Sequence, residues 1–202
     1  MSEEEELSAA EKAMLAELDA FDWSRVERVS GELHKETDRA AIVLGAAWID
    51  EGLTALLRAA LLPSGGKKED DDLFGFGGPL GDFSARTKLC HRLGLLSDDF
   101  RKAIDIVRKI RNRFAHSVDR PDLSTSPFRE WINELPLLIP SATFWELYQS
   151  KFYGPERSPR VTLISTVSLL CGMVEISAAS AKRIPGQPLL VTTWGLRPRP
   201  KK

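Results

Sequence analysis

The sequence is poor in the residues from which metal centres and disulfide frameworks are built. Its 202 residues include two cysteines and three histidines, and no group of them has the spacing of a metal-ligand set. We therefore predict no bound metal and no cofactor. The two cysteines form no pairing pattern, and the acidic run Glu3 to Glu6 stands where a secretory signal would be basic and then apolar. Both observations indicate a reducing, cytoplasmic environment.

An excess of one charge and a long uncharged run are also missing. The net charge is -1, which argues against wholesale binding of a polyanion. The longest nearly uncharged stretch, 161–174, is rich in Ser and Thr and shorter than the ~20 residues that cross a bilayer. We expect a buried element there and no membrane contact.

The composition, with 43% hydrophobic and 28% charged residues, is that of an ordinary globular protein. The length fits one domain. We predict a disordered acidic tip over 1–8, a single helical domain over 9–184, and a basic, Pro-rich tail over 185–202. No internal repeat of solenoid period is present.

Apolar residues at spacings of three and four predict the helices of this domain. A capping-box pattern predicts a short helix over 9–20, and a long core helix is expected over 36–62. Another helix is predicted over 83–93, capped by Asp82 and stopped by Gly94.

A further helix is expected from its cap at Ser97 to about Ser117. The charged and glycine-rich stretch 63–81 predicts a long loop, and 121–159 predicts short helical turns packed by aromatic residues. Ser158-Pro159 is a good helix start for a closing helix that runs to Arg183, with a strand at 161–164 as the alternative. The predicted fold class is all-α, a single-domain helical bundle.

One polar cluster is predicted on the helix that begins at Ser97. Arg108, Asn112 and His116 are spaced by four and share a face, and Arg111 is long enough to reach the same spot. The surrounding region, 86–120, holds ten basic and four acidic residues. This local basic charge allows a weak contact with RNA or DNA, although Arg108 and Arg111 adjoin the apolar stripe and are expected to be partly buried.

Two interpretations of this cluster are open. An Arg beside a His with a near-neutral pKa can hold a phosphodiester and move its proton, as in attack by a ribose hydroxyl. Alternatively, His116 satisfies carbonyls at the end of the helix while the arginines pair with acids such as Asp50 and Glu51.

Three stretches resemble the mannitol operon repressor (MtlR-like) family over about 34–120. They are 37–47 (TDRAAIVLGAA) with Ile49-Asp50-Glu51, then 78–86 (GPLGDFSAR), then 110–117 (IRNRFAHS). The resemblance implies an all-α bundle and a role in transcriptional regulation. The sequence shows no helix-turn-helix and no zinc module, so DNA reading by the chain itself is not expected.

Arg111-Asn112 followed by His116 also resembles the Arg-x4-6-His motif of HEPN domains, helical bundles of which many are metal-independent ribonucleases that act as dimers. This resemblance implies a catalytic set of Arg111, Asn112 and His116, with Arg111 as phosphate clamp and His116 as general acid and base.

The first interpretation of function is an MtlR-like regulator that binds a protein partner or a small ligand. Its binding residues would be Asp50, Glu51, Arg108, Arg111, Asn112 and His116. The alternative is a HEPN-type endoribonuclease of the toxin or defence kind. A symmetric homodimer is the expected assembly.

Overall fold

The computed structural model describes residues 22–117, 121–139 and 142–184, together with Lys12 and Ala16. In these ranges it contains no strand. Its α-helices are α1 (Ser24–Lys35), α2 (Asp38–Ala60), α3 (Lys67–Phe74), α4 (Phe83–Arg92), α5 (Asp98–His116), α6 (Phe128–Glu134), α7 (Ala142–Tyr153) and α8 (Pro159–Ser180), with a 3-10 turn at Leu135–Leu138. The predicted all-α, single-domain bundle is confirmed.

The centre of the bundle is the pair α2 and α8. Gly45 and Gly52 of α2 face Val167 and Val174 of α8. Both contacts advance by seven residues, so the two helices run in the same direction. A side chain on either glycine would overlap the valine opposite, and the small residues therefore set the close approach.

The remaining helices cover this central pair. Gly172 of α8 lies against Val26, which brings α1 onto α8. The Cys90 thiol of α4 donates to the carbonyl oxygen of Leu53 on α2. Helix α5 also packs against α2. A second, smaller core joins the start of α1 to α7 through aromatic residues, which are Trp23, Phe144, Trp145, Tyr148, Phe152 and Tyr153.

The predicted caps form as expected and define the helix boundaries. The side chains of Asp82, Ser97 and Ser158 accept hydrogen bonds from backbone N–H groups three residues ahead, at 2.9, 3.2 and 3.3 Å. The cap at Ser158 and Pro at the next position start α8, and its core positions are buried nearly throughout. The alternative of a strand at 161–164 is therefore wrong.

Two helices were not expected. The charged part of the predicted loop 63–81 forms α3, because Glu69 and Asp70 lie in its first turn and Arg58 of α2 pairs with Asp70 at 2.5 Å. Helix α1 also falls outside the predicted elements, although its buried residues Val26, Val29 and Leu33 have helical spacing. The predicted helix 9–20 lies outside the described residues apart from Lys12 and Ala16, which are helical, and so do 1–8 and 185–202.

Helices α2 and α8 are long and apolar enough to cross a membrane by length and composition alone. Core helices of a bundle pass the same test, and 50% and 72% of their most apolar windows are buried inside the fold. Both helices therefore give only weak evidence for a membrane, and the expected buried element at 161–174 is confirmed.

Candidate functional site

An ion pair between α2 and α4 forms the base of the candidate site. Arg86 Nη1 lies 2.7 Å from Asp50 Oδ2, and the two side chains are 12% and 26% exposed. Arg86 Nη2 also donates to the backbone oxygen of Phe74 at 3.1 Å. Two hydrogen bonds from one guanidinium thus join α2, α4 and the end of α3, and fix the direction of Asp50.

This pairing corrects one sequence-based interpretation. We expected Asp50 to pair with an arginine of α5, but its partner is Arg86, which lies on α4. Arg108 of α5 bonds instead to Asp105 at 3.0 Å, and Asp105 also receives Arg101 at 2.9 Å. Asp105 lies one turn before Arg108 on α5, so the Arg108 side chain pairs within its own helix and does not reach Asp50.

A cleft of about 270 Å³ opens above the Asp50–Arg86 pair. Its walls come from α2, α4 and α5, and its lining residues are Ala46, Ala47, Asp50, Glu51, Phe83, Arg86 and Arg111. The cleft brings together three of the six predicted binding residues, Asp50, Glu51 and Arg111. Arg108, Asn112 and His116 do not line it.

Arg111 and His116 both lie on the surface of α5. The expected partial burial is correct for Arg108, which is half-buried, and wrong for Arg111, which is exposed. Arg111 Nη1 donates to Asn112 Oδ1 at 2.9 Å. His116 is the last residue of the helix and is exposed.

Two carbonyl oxygens at the end of α5 accept hydrogen bonds from side chains other than His116. The Ser117 hydroxyl donates to the Arg113 oxygen at 2.8 Å, and Arg39 Nη2 donates to the Ser117 oxygen at 2.7 Å. The interpretation of His116 as the group that closes this helix is therefore replaced by a cap from Ser117 and Arg39.

Sequence reasoning missed Phe83 and Arg86 as site residues. They are three residues apart and so lie on one face of α4. No spacing in the sequence links them to Asp50 or Arg111, because the connection depends on how α4 packs against α2. The sequence did contain one indication of their importance, because both residues lie in 78–86, one of the three stretches that resemble the MtlR-like family.

The cysteines do not supply a nucleophile. Burial raises the pKa of Cys90 and of Cys171 to about 12, so both remain thiols near neutral pH.

His91 Nε2 pairs with Asp98 Oδ1 at 2.9 Å on the exposed side of α4. Among the described residues, no group of three His, Cys, Asp or Glu side chains is placed to hold a metal ion.

Fold and site together define an all-α bundle with a small polar cleft where three helices meet. Its fold is similar to that in the X-ray structure of the MtlR–HPr complex from Escherichia coli, with a TM-score of 0.56 and 18% sequence identity. The likeness covers 75% of this chain and 99% of the other. No family model matches the sequence, and no curated protein matches it. The MtlR-like fold expected from the sequence is thereby confirmed.

Proposed function

We propose that this chain is an MtlR-like transcriptional regulator that acts by binding a protein partner and has no DNA-reading module of its own. The observation that carries the proposal is the fold, which matches a structure solved as a complex of MtlR with the protein HPr. HPr or a protein of similar kind is the partner we assign to this chain.

The cleft above Asp50 and Arg86 is the contact surface we assign to that partner. The exposed side chains of Glu51 and Arg111 flank the floor of the cleft, and the Asp50–Arg86 ion pair holds that floor in place. Arginine is enriched at protein–protein interfaces. Charges of both signs at the rim also favour one orientation of the partner.

The size of the cleft is compatible with the protein partner that the fold suggests. Its volume of about 270 Å³ lies below the ~300 to 1,000 Å³ of ordinary small-molecule pockets. A cleft of this volume suits one or two side chains presented by a larger surface.

Calorimetric titration with purified E. coli HPr tests the proposal. We expect binding by the wild type, weakened at least about tenfold by Arg111→Glu or Glu51→Lys, because each variant reverses a charge at the rim. Lys109→Glu is the matched control, since Lys109 is exposed on the same helix but points about 160° away from Arg111.

Two outcomes would contradict the proposal in different ways. A wild type that binds no HPr argues against this partner. Binding that Arg111→Glu and Lys109→Glu weaken equally argues against the cleft, because general charge and not the rim would then determine affinity.

A further inference from the structure

A second and larger groove lies at the far end of α2. It has a volume of about 930 Å³, and its apolar floor is built from Leu61, Leu62, Leu73, Phe74 and Pro79. We call it the α3 groove. Leu62 is 64% exposed, so the groove presents apolar surface that a docked chain would remove from water.

The walls of the α3 groove are held in place by polar contacts. The Arg58 guanidinium pairs with Asp70 at 2.5 Å and lies 5.1 Å from the centre of the Phe74 ring. Glu69 accepts a hydrogen bond from the Gly65 N–H at 2.5 Å. A segment that docks here therefore meets a preformed surface, which lowers the entropic cost of binding.

The chain itself arrives at this groove after α8. Arg183 is one of the lining residues, and the N–H of Ile184 donates to the Ala60 oxygen at 2.8 Å. This bond satisfies a carbonyl at the end of α2 and holds Ile184, the last described residue, beside the groove. The 18 residues that follow Ile184 can span up to ~60 Å when extended, which is ample reach.

The composition of 185–202 matches the groove. Leu189, Leu190, Val191 and Trp194 come first, and the basic residues Arg197, Arg199, Lys201 and Lys202 follow, with no acid anywhere in the segment. Helix α3 begins with Lys67 and Lys68 and then carries four acids in succession, from Glu69 to Asp72, so two lysines against four acids leave it a net charge of -2. Apolar side chains suit the floor of the groove, and the basic part suits the outer side of α3.

We propose that segment 185–202 docks into the α3 groove of its own chain, with Leu189 and Leu190 as apolar anchors. Because the segment is tethered at the rim, its effective concentration is about millimolar, and modest contacts are enough to keep the groove occupied. This surface lies outside the Asp50–Arg86 cleft, and the proposal does not depend on the identity of the partner that the cleft binds.

Hydrogen exchange of the full chain, read by mass spectrometry, tests the docking from the side of the segment. Leu189→Asp with Leu190→Asp places charge on the anchors. We expect amides over 61–74 to exchange at least about fivefold faster in this variant. Thr192→Asp with Thr193→Asp adds the same charge to the same segment at polar positions and should leave the exchange close to that of the wild type.

The reciprocal experiment changes the groove. Leu62→Asp should accelerate exchange over 187–194 by a similar factor. Leu137→Asp should not, since Leu137 is also an exposed leucine, 81% against 64% for Leu62, but lies in the 3-10 turn away from the groove lining. Exchange that neither anchor nor groove variant alters would overturn the proposal. So would protection of 61–74 that disappears on dilution, because the occupant would then be a second copy of the chain.

Discussion

At the residue scale, Arg86 is the side chain on which the candidate site depends. Its side chain is 12% exposed and donates hydrogen bonds to Asp50 Oδ2 and to the Phe74 oxygen. We predict that Arg86→Ala lowers the free energy of unfolding by about 1 to 3 kcal/mol, because Asp50 is left half-buried without its cation. Urea unfolding followed by circular dichroism measures the change.

Lys102→Ala is the control for Arg86→Ala. Lys102 pairs with Asp99 on the same helix, and both side chains are about half exposed, so we expect a change within about 0.5 kcal/mol. Equal stability of Arg86→Ala and the wild type would show that the Asp50 pair contributes nothing.

The alternative function, a metal-independent ribonuclease, depends on the positions of two residues, Arg111 and His116. Arg111 and His116 are five residues apart and therefore about 140° apart around α5, and only Arg111 lines the cleft. This arrangement disfavours joint action on one phosphate within a single chain. We predict that the wild type does not cleave single-stranded RNA in the presence of EDTA, as measured by gel electrophoresis of a labelled oligonucleotide.

Cleavage lost in both His116→Ala and Arg111→Ala would establish the ribonuclease instead. Both side chains are exposed, so these variants should fold normally. Arg111→Ala should change the free energy of unfolding by no more than about 0.5 kcal/mol. The larger loss of stability is expected for Arg86→Ala, because the Arg86 side chain is only 12% exposed.

At the scale of the elements, the helix stop at Gly94 is the sharpest feature. Gly94 has a φ of 72°, and the N–H of Leu95 reaches back to the Cys90 oxygen at 2.9 Å. This is the Schellman arrangement that the sequence predicts. Gly94→Val should lower the free energy of unfolding by about 1 kcal/mol or more, because a β-branched residue is strained at positive φ.

Thermal melts of Gly94→Val and Gly94→Asn check this prediction. Asn tolerates the left-handed conformation better than Val does, so it should melt closer to the wild type. Equal melting of all three proteins would show that the helix stop needs no left-handed residue.

Gly81 is required for another reason, since a Cβ there would lie 2.5 Å from the Gly75 oxygen.

The unexpected helix α3 shows what decides a short element. Its eight residues carry little apolar periodicity, and a helix of this length is marginal by itself. The contacts of Asp70 and Phe74 with Arg58 of α2 stabilise it from outside. A loop was the natural expectation from the local sequence, and tertiary contacts override it.

At the scale of the whole molecule, part of the basic charge of 86–120 is engaged in ion pairs within the fold. Three of its arginines are paired with acids, Arg86 with Asp50 and both Arg101 and Arg108 with Asp105. We therefore predict weak binding of duplex DNA that falls steeply with salt, as expected for contacts with phosphates alone.

Fluorescence anisotropy with labelled duplexes of different sequence, at 50 and 200 mM salt, measures this binding. We expect similar affinities for all duplexes and a large loss at the higher salt. A sequence-specific complex of nanomolar affinity at physiological salt would contradict the prediction and would require a DNA-reading surface.

The sequence by itself determined the all-α class, the long core helix, and the starts of α4, α5 and α8. These features depend on side chains within about four residues of one another, such as the Ser97 hydroxyl and the Phe100 N–H, so local rules are sufficient. The same holds for the stop at Gly94.

Only the tertiary structure decided which charges meet. The sequence offers several cations as possible partners of Asp50. The packing of α4 on α2 selects Arg86, which is 36 residues away along the chain. Likewise, Arg39 caps the end of α5 from 78 residues away. A charged side chain accepts any partner of opposite sign, and the backbone arrangement, which the packing of buried apolar residues determines, selects among them.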